Sequence, residues 1–324
     1  MNRPKISVVI PIYNEEAAIA ANVGAVVKTL GALGREWELV LVNDGSKDGT
    51  LAIVNALAKE NPKIKVVSYA KNRGRGYALR AGFKAAGGDY IIATESDLNW
   101  GSEIIGRFVL ELDKDEADIV IASPHMKGGG MENVPFLRWA LSYFGNKIFS
   151  FAFPGKFTMV TGMTRGYRRE TLDALDLESD GKELHVEILY KALDLGFRVS
   201  EIPAILRWKK PAPGVVVRKS HFKFSSVLKH LLLSFSVQPF ILFGVIGFSF
   251  IFVGLALGAY SLYLSLTVGV AGRPVLYATV LFIVAGLQII VFGFLASQNR
   301  DLKRQFVRTQ RMIKDLGRQK TNES

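Results

Sequence analysis

Short apolar runs alternate with amphipathic stretches through the N-terminal part of the chain. The first run, Ile6–Ile10, is rich in β-branched side chains, as is typical of a parallel strand buried on both faces. Strands alternating with helices predict a doubly wound α/β fold with a mostly parallel sheet, whose ligands bind beyond the carboxyl ends of the strands. The pattern predicts strands at residues 6–10, 38–42, 64–69 and 90–94, and helices at residues 15–33, 48–59 and 75–86.

Two long uncharged segments near the C-terminus predict a membrane hairpin. No charged residue lies between Leu231 and Gly272, or between Pro274 and Asn299. A membrane span needs about 20 apolar residues, and the link between the two spans is short enough to be a tight turn. The predicted parts of the chain are a domain at 1–220, an interfacial amphipathic helix at 221–236, a hairpin at 237–298 with spans at 238–264 and 275–297, and a basic tail at 299–324.

The distribution of charge predicts the orientation of this hairpin. The chain of 324 residues carries 41 Lys and Arg residues against 29 Asp and Glu residues. Basic residues are dense on both flanks of the hairpin, whereas the connecting turn carries only Arg273. The positive-inside rule therefore places both termini and the N-terminal domain in the cytoplasm. We interpret the basic flanks as contacts with an anionic membrane surface and expect no nucleic acid partner.

Cysteine is absent from the sequence. This excludes a disulfide scaffold, a thiolate metal site and a Cys nucleophile. Any chemistry must therefore come from the polar residues in the loops.

Polar residues follow each of the first three predicted strands, and the second and third loops also contain glycines. An acid directly after a strand, such as Asp44, can accept hydrogen bonds from ribose hydroxyls or a base edge, and Gly45 allows a ligand to approach the backbone. Residues 48–50 could instead simply cap the next helix. The third loop, at residues 72–76, is a basic, Gly-rich turn that opens a helix, as expected near phosphates. It lacks the spacing of a P-loop or a dinucleotide fold, which disfavours an NTPase or a dehydrogenase. The three loops read PIYNE at 11–15, NDGSKDGT at 43–50 and NRGRG at 72–76.

The fourth loop carries two carboxylates, Glu95 and Asp97. Alternate residues of an extended segment point the same way, so we predict that both side chains face one side. Two hard oxygen donors suit Mg²⁺ or Mn²⁺, which would hold a nucleotide diphosphate. The alternative is that both are solvated loop acids.

Together these motifs carry a family resemblance. The order P-x-Y-N-E, N-D-G-S-x-D-G-T, N-x-G-x-G-x-A-x-x-x-G-F and acid-x-Asp-Leu resembles the family 2 glycosyltransferases of GT-A fold, over about residues 5–220. Within them the chain is most similar to the dolichol- and polyprenyl-phosphate mannosyl- and glucosyltransferases, whose bacterial branch also has two C-terminal membrane helices. The resemblance implies inverting, metal-dependent transfer of a sugar from a nucleotide-sugar donor to a polyprenyl phosphate at the cytoplasmic face of a bacterial inner membrane. It also implies a homo-oligomer, such as a tetramer.

The resemblance assigns roles to residues at matching positions. Arg138 and Ser142 lie four apart on a predicted helix after a Gly-rich loop, and an Arg and a hydroxyl on one stripe can grip the lipid phosphate. Asn146 extends this stripe, and an ordinary solvated polar face is the alternative interpretation. The implied metal ligands are Glu95 and Asp97, with Asp97 also catalytic; the implied nucleotide-binding residues are Pro11, Tyr13, Glu15, Asp44, Asn72, Gly74 and Arg75; and Lys210, Arg218 and Lys219 are candidates for contacting diphosphate or lipid phosphate.

Three positions depart from the family pattern. Glu95 stands where the first Asp of D-x-D is usual, and Asn99 stands where Gln is usual. Arg165 brings a cation into a segment that normally has an acid near the sugar end of the site. That exchange predicts a donor sugar that is charged or modified.

The expected chemistry needs little from the protein beyond positioning. A lipid phosphate is already an anionic nucleophile at neutral pH, so a strong general base is unnecessary, and one direct displacement inverts the anomeric carbon. Two alternatives stay open. A processive polysaccharide synthase should show Q-x-x-R-W, whereas the Gln is missing before Arg138 and Trp139. A membrane-tethered, non-catalytic nucleotide-sugar scaffold is conceivable because the metal motif is altered.

Overall fold

Strand and helix alternate along the N-terminal unit as the hydrophobic pattern predicts. The computed structural model describes residues 3–136, 139–140, 142–143, 146, 157–208, 239–268 and 273–322, and the chain divides into two units, Met1–Leu231 and Leu232–Ser324. The elements of the first unit are β1 (Ile6–Ile12), α1 (Ile19–Ala32), β2 (Trp37–Asp44), α2 (Thr50–Glu60), β3 (Ile64–Tyr69), α3 (Arg75–Ala85), β4 (Tyr90–Ala93), α4 (Ile104–Asp113), β5 (Ile119–Ser123), β6 (Gly130–Glu132), β7 (Arg165–Arg168), α5 (Arg169–Asp173), α6 (Leu184–Asp194), β8 (Val199–Pro203) and β9 (Ile205–Arg207).

The main sheet has seven strands in the order β3-β2-β1-β4-β7-β5-β8. β1 is parallel to both β2 and β4, and Val9 pairs with Val40 on one side and Ala93 on the other. β7 breaks the pattern because it runs antiparallel to β4 and β5. A separate parallel pair is formed by β6 and β9. The mostly parallel α/β sheet is thus confirmed, and the carboxyl ends of β1 to β4 lie at one edge.

Buried apolar side chains explain why these elements pack as they do. β2 is buried along its whole length, as expected of a central strand covered on both faces. α1 covers the sheet with Ile19, Val23, Val26 and Leu30, whose spacing places them on one helical stripe. The strand nevertheless ends in the buried polar residue Asp44. A polar group buried at this edge requires hydrogen-bond partners.

The second unit contains two long helices, α7 (Pro239–Val268) and α8 (Arg273–Asn322). Their segments Leu242–Thr267 and Pro274–Leu302 are long and apolar enough to cross a membrane. The helices approach closely at small residues, since a Cβ added at Gly286 would lie 2.6 Å from the carbonyl oxygen of Gly247. The segment predicted as a separate basic tail continues α8. The predicted interfacial helix at 221–236 lies outside the described residues.

Candidate active site

Hydrogen bonds join the loop after β1 to the loop after β2. The Asn14 backbone N–H donates to Ser46 Oγ at 3.0 Å, and the Lys47 N–H donates to Asn14 Oδ1 at 2.8 Å. Asn14 has a φ of +55°, a left-handed conformation that Asn tolerates better than most residues. The Gly49 N–H donates to the Glu16 carboxylate at 2.8 Å, so the first loop helps to cap α2. These three hydrogen bonds therefore hold the two loops together.

The helix-capping role considered for residues 48–50 is present. Asp48 Oδ1 accepts the backbone N–H of Thr50 at 3.1 Å and its hydroxyl at 2.6 Å. The same hydroxyl accepts the Glu15 N–H at 2.8 Å. The acid of this motif thus supports the start of α2, while the loop it stabilises presents Glu15.

Asp44 is the anchor of the third loop. Its Oδ1 accepts the Arg73 N–H at 2.8 Å, and its Oδ2 accepts the Gly74 N–H at 3.1 Å and the Asn72 Nδ2 at 2.9 Å. These three bonds satisfy a carboxylate that is only 5% exposed. Asp44 consequently fixes the loop that carries Arg75 to the site.

The glycines of these loops make close contacts within the protein. A Cβ at Gly45, whose φ is +65°, would lie 2.5 Å from the backbone nitrogen of Asn72. A Cβ at Gly74 would lie 2.8 Å from the Asp180 carbonyl oxygen, and one at Gly76 would lie 2.5 Å from that of Gly181. The Gly-rich turn is therefore shaped by the 179–181 backbone packed against it.

This packing predicts opposite effects for two Gly→Ala substitutions. Gly76→Ala should destabilise the protein by about 1–3 kcal/mol, because its new Cβ meets backbone atoms that cannot move aside cheaply. Gly24→Ala, in an exposed position of α1 with nothing within 4 Å of the new Cβ, should stabilise by about 0.5–1 kcal/mol. Thermal or denaturant unfolding measures both changes. Equal effects would contradict the close approach at Gly76.

The two predicted metal ligands lie on a turn. β4 ends at Ala93, and the Leu98 N–H donates to the Glu95 carbonyl oxygen at 3.3 Å. The segment is therefore a turn and not extended as expected, although both residues line the same cavity, which is described below. Asn99 supports the turn through its backbone N–H, which donates to Asp97 Oδ1 at 3.2 Å, and through its Nδ2, which donates to Asp97 Oδ2. The residue that replaces the usual Gln thus orients one of the acids.

A cavity of about 290 Å³ collects the side chains from these four loops. All nine residues predicted to bind nucleotide or metal in this part of the chain line it, and sequence reasoning missed Ile12, Ser96 and Met163. Met163 lies within the segment 162–167 that departs from the family pattern, but no pattern in the sequence singled out this side chain. The lining residues are Pro11, Ile12, Tyr13, Glu15, Asp44, Asn72, Gly74, Arg75, Glu95, Ser96, Asp97 and Met163.

Three acids, Glu15, Glu95 and Asp97, line the same cavity and repel one another. Burial, followed by the charge of Asp97, raises the pKa of Glu95 and also that of Glu15. Arg75 Nη1 lies 3.6 Å from Glu95 Oε1 and offsets this repulsion only in part. A divalent cation would neutralise both Glu95 and Asp97, and two carboxylates plus substrate phosphates suit Mg²⁺ or Mn²⁺. Within the described ranges, no group of three or more His, Cys, Asp or Glu side chains forms a complete metal site.

Two residues of the predicted acceptor stripe, Ser142 and Asn146, do not line this cavity. Ser142 Oγ lies 3.4 Å from Nε2 of His125, a residue that sequence reasoning missed, and burial lowers the pKa of His125. Asn146 is only 4% exposed, and its Oδ1 accepts the N–H groups of Val160 at 2.9 Å and Thr161 at 3.2 Å. A wholly solvated polar face is therefore wrong for Asn146. Four other predicted phosphate contacts, Arg138, Lys210, Arg218 and Lys219, lie outside the described residues.

Arg165 does not line the cavity. It is completely buried in β7, and its guanidinium donates to the carbonyl oxygens of Gly162 at 2.8 Å, His185 at 2.9 Å and Val160 at 2.6 Å. The prediction of a charged or modified donor sugar depended on an exposed cation at this position. Because all this hydrogen bonding is internal, that prediction loses its basis.

Comparison with known proteins identifies related sequences. The model of "Glycosyl transferase family 2" matches residues 7–176. The chain is 32% identical over 190 residues to a dolichol-phosphate mannosyltransferase of Pyrococcus furiosus, covering 58% of this chain and about half (53%) of the relative's length. It is 30% identical over 203 residues to a polyprenol monophosphomannose synthase of Mycolicibacterium smegmatis, covering 60% and 75% of the two chains. An undecaprenyl-phosphate 4-deoxy-4-formamido-L-arabinose transferase of Shewanella sediminis is 27% identical over 299 residues, covering 90% and 85%.

Solved structures show the same fold. Glucosyl-3-phosphoglycerate synthase of Mycobacterium tuberculosis, in complex with Mn²⁺, UDP-glucose and phosphoglyceric acid, matches with a TM-score of 0.52 at 20% identity, covering 72% of this chain and 78% of that one. At this identity the likeness establishes the GT-A type of fold alone.

Proposed function

We propose a reaction from one premise: this chain belongs to glycosyl transferase family 2. It is a glycosyltransferase, and we propose that it transfers a sugar from a nucleotide-sugar donor to a polyprenyl phosphate, with inversion at the anomeric carbon. The observation that carries the proposal is the single cavity in which Asp44, Arg75, Glu95 and Asp97 meet. Three relatives named for dolichol-phosphate, polyprenol monophosphate and undecaprenyl-phosphate chemistry support the acceptor class.

We propose separate parts of the cavity for the nucleoside of the donor and for its metal-bound diphosphate. Pro11, Tyr13 and Asp44, at the ends of β1 and β2, are proposed to hold the nucleoside, with Glu15, Asn72, Gly74 and Arg75 beside it. Glu95 and Asp97 are proposed to hold Mg²⁺ or Mn²⁺, as the Mn²⁺ and UDP-glucose of the structural relative suggest. The bound cation would act as a Lewis acid toward the departing diphosphate. Arg75 is placed to add a second positive charge there.

The acceptor needs orientation more than activation. The phosphate of a polyprenyl phosphate is anionic at neutral pH, so its oxygen can attack the anomeric carbon without a strong general base. We propose that the Ser142 hydroxyl donates to this phosphate, together with Arg138 on the same stripe. Lys210, Arg218 and Lys219 remain proposed contacts with diphosphate or lipid phosphate. Direct displacement from the face opposite the diphosphate inverts the configuration.

Two apolar helices support membrane attachment. The basic flanks favour a cytoplasmic location for both termini and for the catalytic domain, which we propose to extend over residues 1–220. A homo-oligomer, such as a tetramer, is part of the same proposal. The processive polymerase alternative gains no support, because two candidate spans among the described helices are few for a polymer channel.

The reaction can be tested directly. The full-length protein in detergent or vesicles is incubated with Mg²⁺ or Mn²⁺, a short-chain polyprenyl phosphate and each member of a panel of nucleotide sugars. We expect one donor to yield a mass-shifted glycosyl phospholipid and free nucleoside diphosphate, and chelation by EDTA to stop both. Release of nucleoside diphosphate without any lipid product would contradict the proposed acceptor.

Ser142→Ala should weaken use of the lipid acceptor selectively. Loss of a hydrogen bond to a charged phosphate predicts a fall of about tenfold in kcat/KM for polyprenyl phosphate, whereas the donor KM should change less than about twofold. Steady-state kinetics with each substrate varied in turn measures both. Ser102→Ala is a matched control, since Ser102 Oγ accepts one bond from Thr29 between α1 and α4. An equal loss for donor and acceptor would contradict the acceptor role of Ser142.

A further inference from the structure

Arg165 is a buried cation whose side chain binds only internal groups. Its Nε and two Nη atoms each donate to a different backbone carbonyl oxygen, on Gly162, His185 and Val160. Taking a guanidinium out of water is costly unless its donors are well satisfied. A neutral side chain would avoid this cost. The arrangement is therefore expected where the three carbonyls must be held in one fixed geometry.

One consequence of this geometry is a fixed wall of the cavity. Val160 and Gly162 lead directly to Met163, which lines the cavity. The amide of Asn146 holds the same segment from its other side, through the N–H groups of Val160 and Thr161. Met163 precedes β7, whereas the other lining residues lie at the carboxyl ends of β1 to β4 or in the segments that directly follow them. Two of the three Arg165 hydrogen bonds thus lie on the segment that leads to Met163.

The third bond of Arg165 reaches another wall. His185 lies in the first turn of α6, and Glu187 of the same helix accepts the N–H groups of Glu178 at 2.9 Å and Ser179 at 2.8 Å. The loop that follows packs against Gly74 and Gly76, on either side of Arg75. The guanidinium thus touches both the segment before Met163 and the helix that supports the Arg75 loop.

We infer that Arg165 is a positioning residue that sets the Met163 wall of the cavity, and that this wall contacts the sugar portion of the donor. The inference rests on the proposed function, in which the nucleoside and diphosphate are assigned to the loops after β1 to β4. Ile12 and Ser96 also have no assigned role, but each lies between residues assigned to the nucleoside or the metal, which leaves the Met163 wall for the sugar. A thioether side chain can pack against the C–H face of a sugar ring.

Arg165→Lys tests the inference because lysine keeps the charge but cannot reach three carbonyls from a single ammonium group. Arg169→Lys is the matched control. Arg169 also donates to two backbone carbonyls, of Gly88 at 2.7 Å and Ala86 at 2.6 Å, and it does not line the cavity. Met163→Ala provides a second variant that leaves the Arg165 hydrogen bonds intact if Arg165→Lys does not fold.

The readout is the ratio of dissociation constants for a nucleotide sugar and its nucleoside diphosphate. Calorimetry with Mn²⁺ uses UDP-glucose with UDP and GDP-mannose with GDP, and the pair that the wild type binds more tightly is analysed. Arg165→Lys and Met163→Ala should each weaken binding of the nucleotide sugar about fivefold relative to binding of the nucleoside diphosphate. Arg169→Lys should leave the ratio of dissociation constants within about twofold of the wild-type value. Proportional weakening of both ligands, or the same shift in Arg169→Lys, would overturn the inference.

The two proposals fail in distinguishable ways. Selective weakening in the variants, without any lipid product from the wild type, would reject the polyprenyl phosphate acceptor and keep the role of Arg165. Lipid product from the wild type, with an unchanged ratio in Arg165→Lys and Met163→Ala, would reject the role of Arg165 alone. A wild type that binds neither ligand pair would count against the donor site and the inference together.

Discussion

Asp97→Ala is expected to reduce sugar transfer by about 10³-fold or more, with the fold intact. Asp97 lies on a half-buried turn after β4, where Asn99 donates two hydrogen bonds to its carboxylate, and its side chain is not part of the hydrophobic core. Its removal leaves Glu95 as the one acid of the proposed metal pair. Transfer to polyprenyl phosphate measures the loss, and Mn²⁺ titration followed by electron paramagnetic resonance measures metal affinity without turnover.

A matched control separates the loss of one negative charge from the loss of an acid in the cavity. Glu60→Ala removes an exposed acid at the end of α2, which does not line the cavity, and should leave both transfer and Mn²⁺ affinity unchanged. Retained turnover in Asp97→Ala would remove the metal assignment. Lost turnover with unchanged Mn²⁺ affinity would instead place Asp97 at another step.

The meeting of the cavity residues could be predicted from sequence because it depends on topology. Parallel strands present their carboxyl ends at one edge, so Asp44, Asn72 and Glu95 are brought together whatever the details of each loop. The hydrophobic runs that mark the strands are local in the sequence and strong. The strands, and the loops that contain the candidate site, could therefore be predicted from local sequence patterns.

The contacts that require a particular residue at a given position could not be predicted in this way. Gly74 and Gly76 have the pattern of a phosphate loop, yet the atoms that require them belong to residues 179–181, which are distant in sequence. The turn at Glu95 depends on Leu98, whose φ of +48° is unusual for a non-Gly residue and has no sequence signature. These features depend on tertiary contacts that no local pattern contains.

Arg165 shows the same limit for a charged residue. A basic residue near a proposed sugar site suggests an exposed ligand contact, and Arg is seldom fully buried. Its position in β7, paired with Ala93 on one side and Ile121 on the other, places it inside the sheet instead. The antiparallel direction of β7 was not predictable from the alternating pattern that identified the parallel strands.

The carboxylate of Asp44 both holds the third loop in place and lines the cavity, so its replacement should have a large effect on donor binding. Its oxygens accept the N–H groups of Arg73 and Gly74 and the Asn72 amide, and the same residue lines the cavity. Asparagine at this position would have nearly the same shape. One oxygen would become an NH₂ group, however, which would face an N–H donor and leave it unsatisfied.

Asp44→Asn should therefore raise the donor KM by about 10- to 100-fold, since a lost hydrogen bond to a charged group is worth about 1.5–3 kcal/mol. The effect on kcat should be smaller, because Glu95 and Asp97 stand on a different loop. Asp118→Asn is the matched control: Asp118 is also buried and accepts the Arg198 backbone N–H at 2.7 Å, but it does not line the cavity. Its replacement should lower the melting temperature and leave the donor KM unchanged. A donor KM that rises equally in both variants would show that general loosening of the sheet, and not the Asp44 loop, governs donor binding.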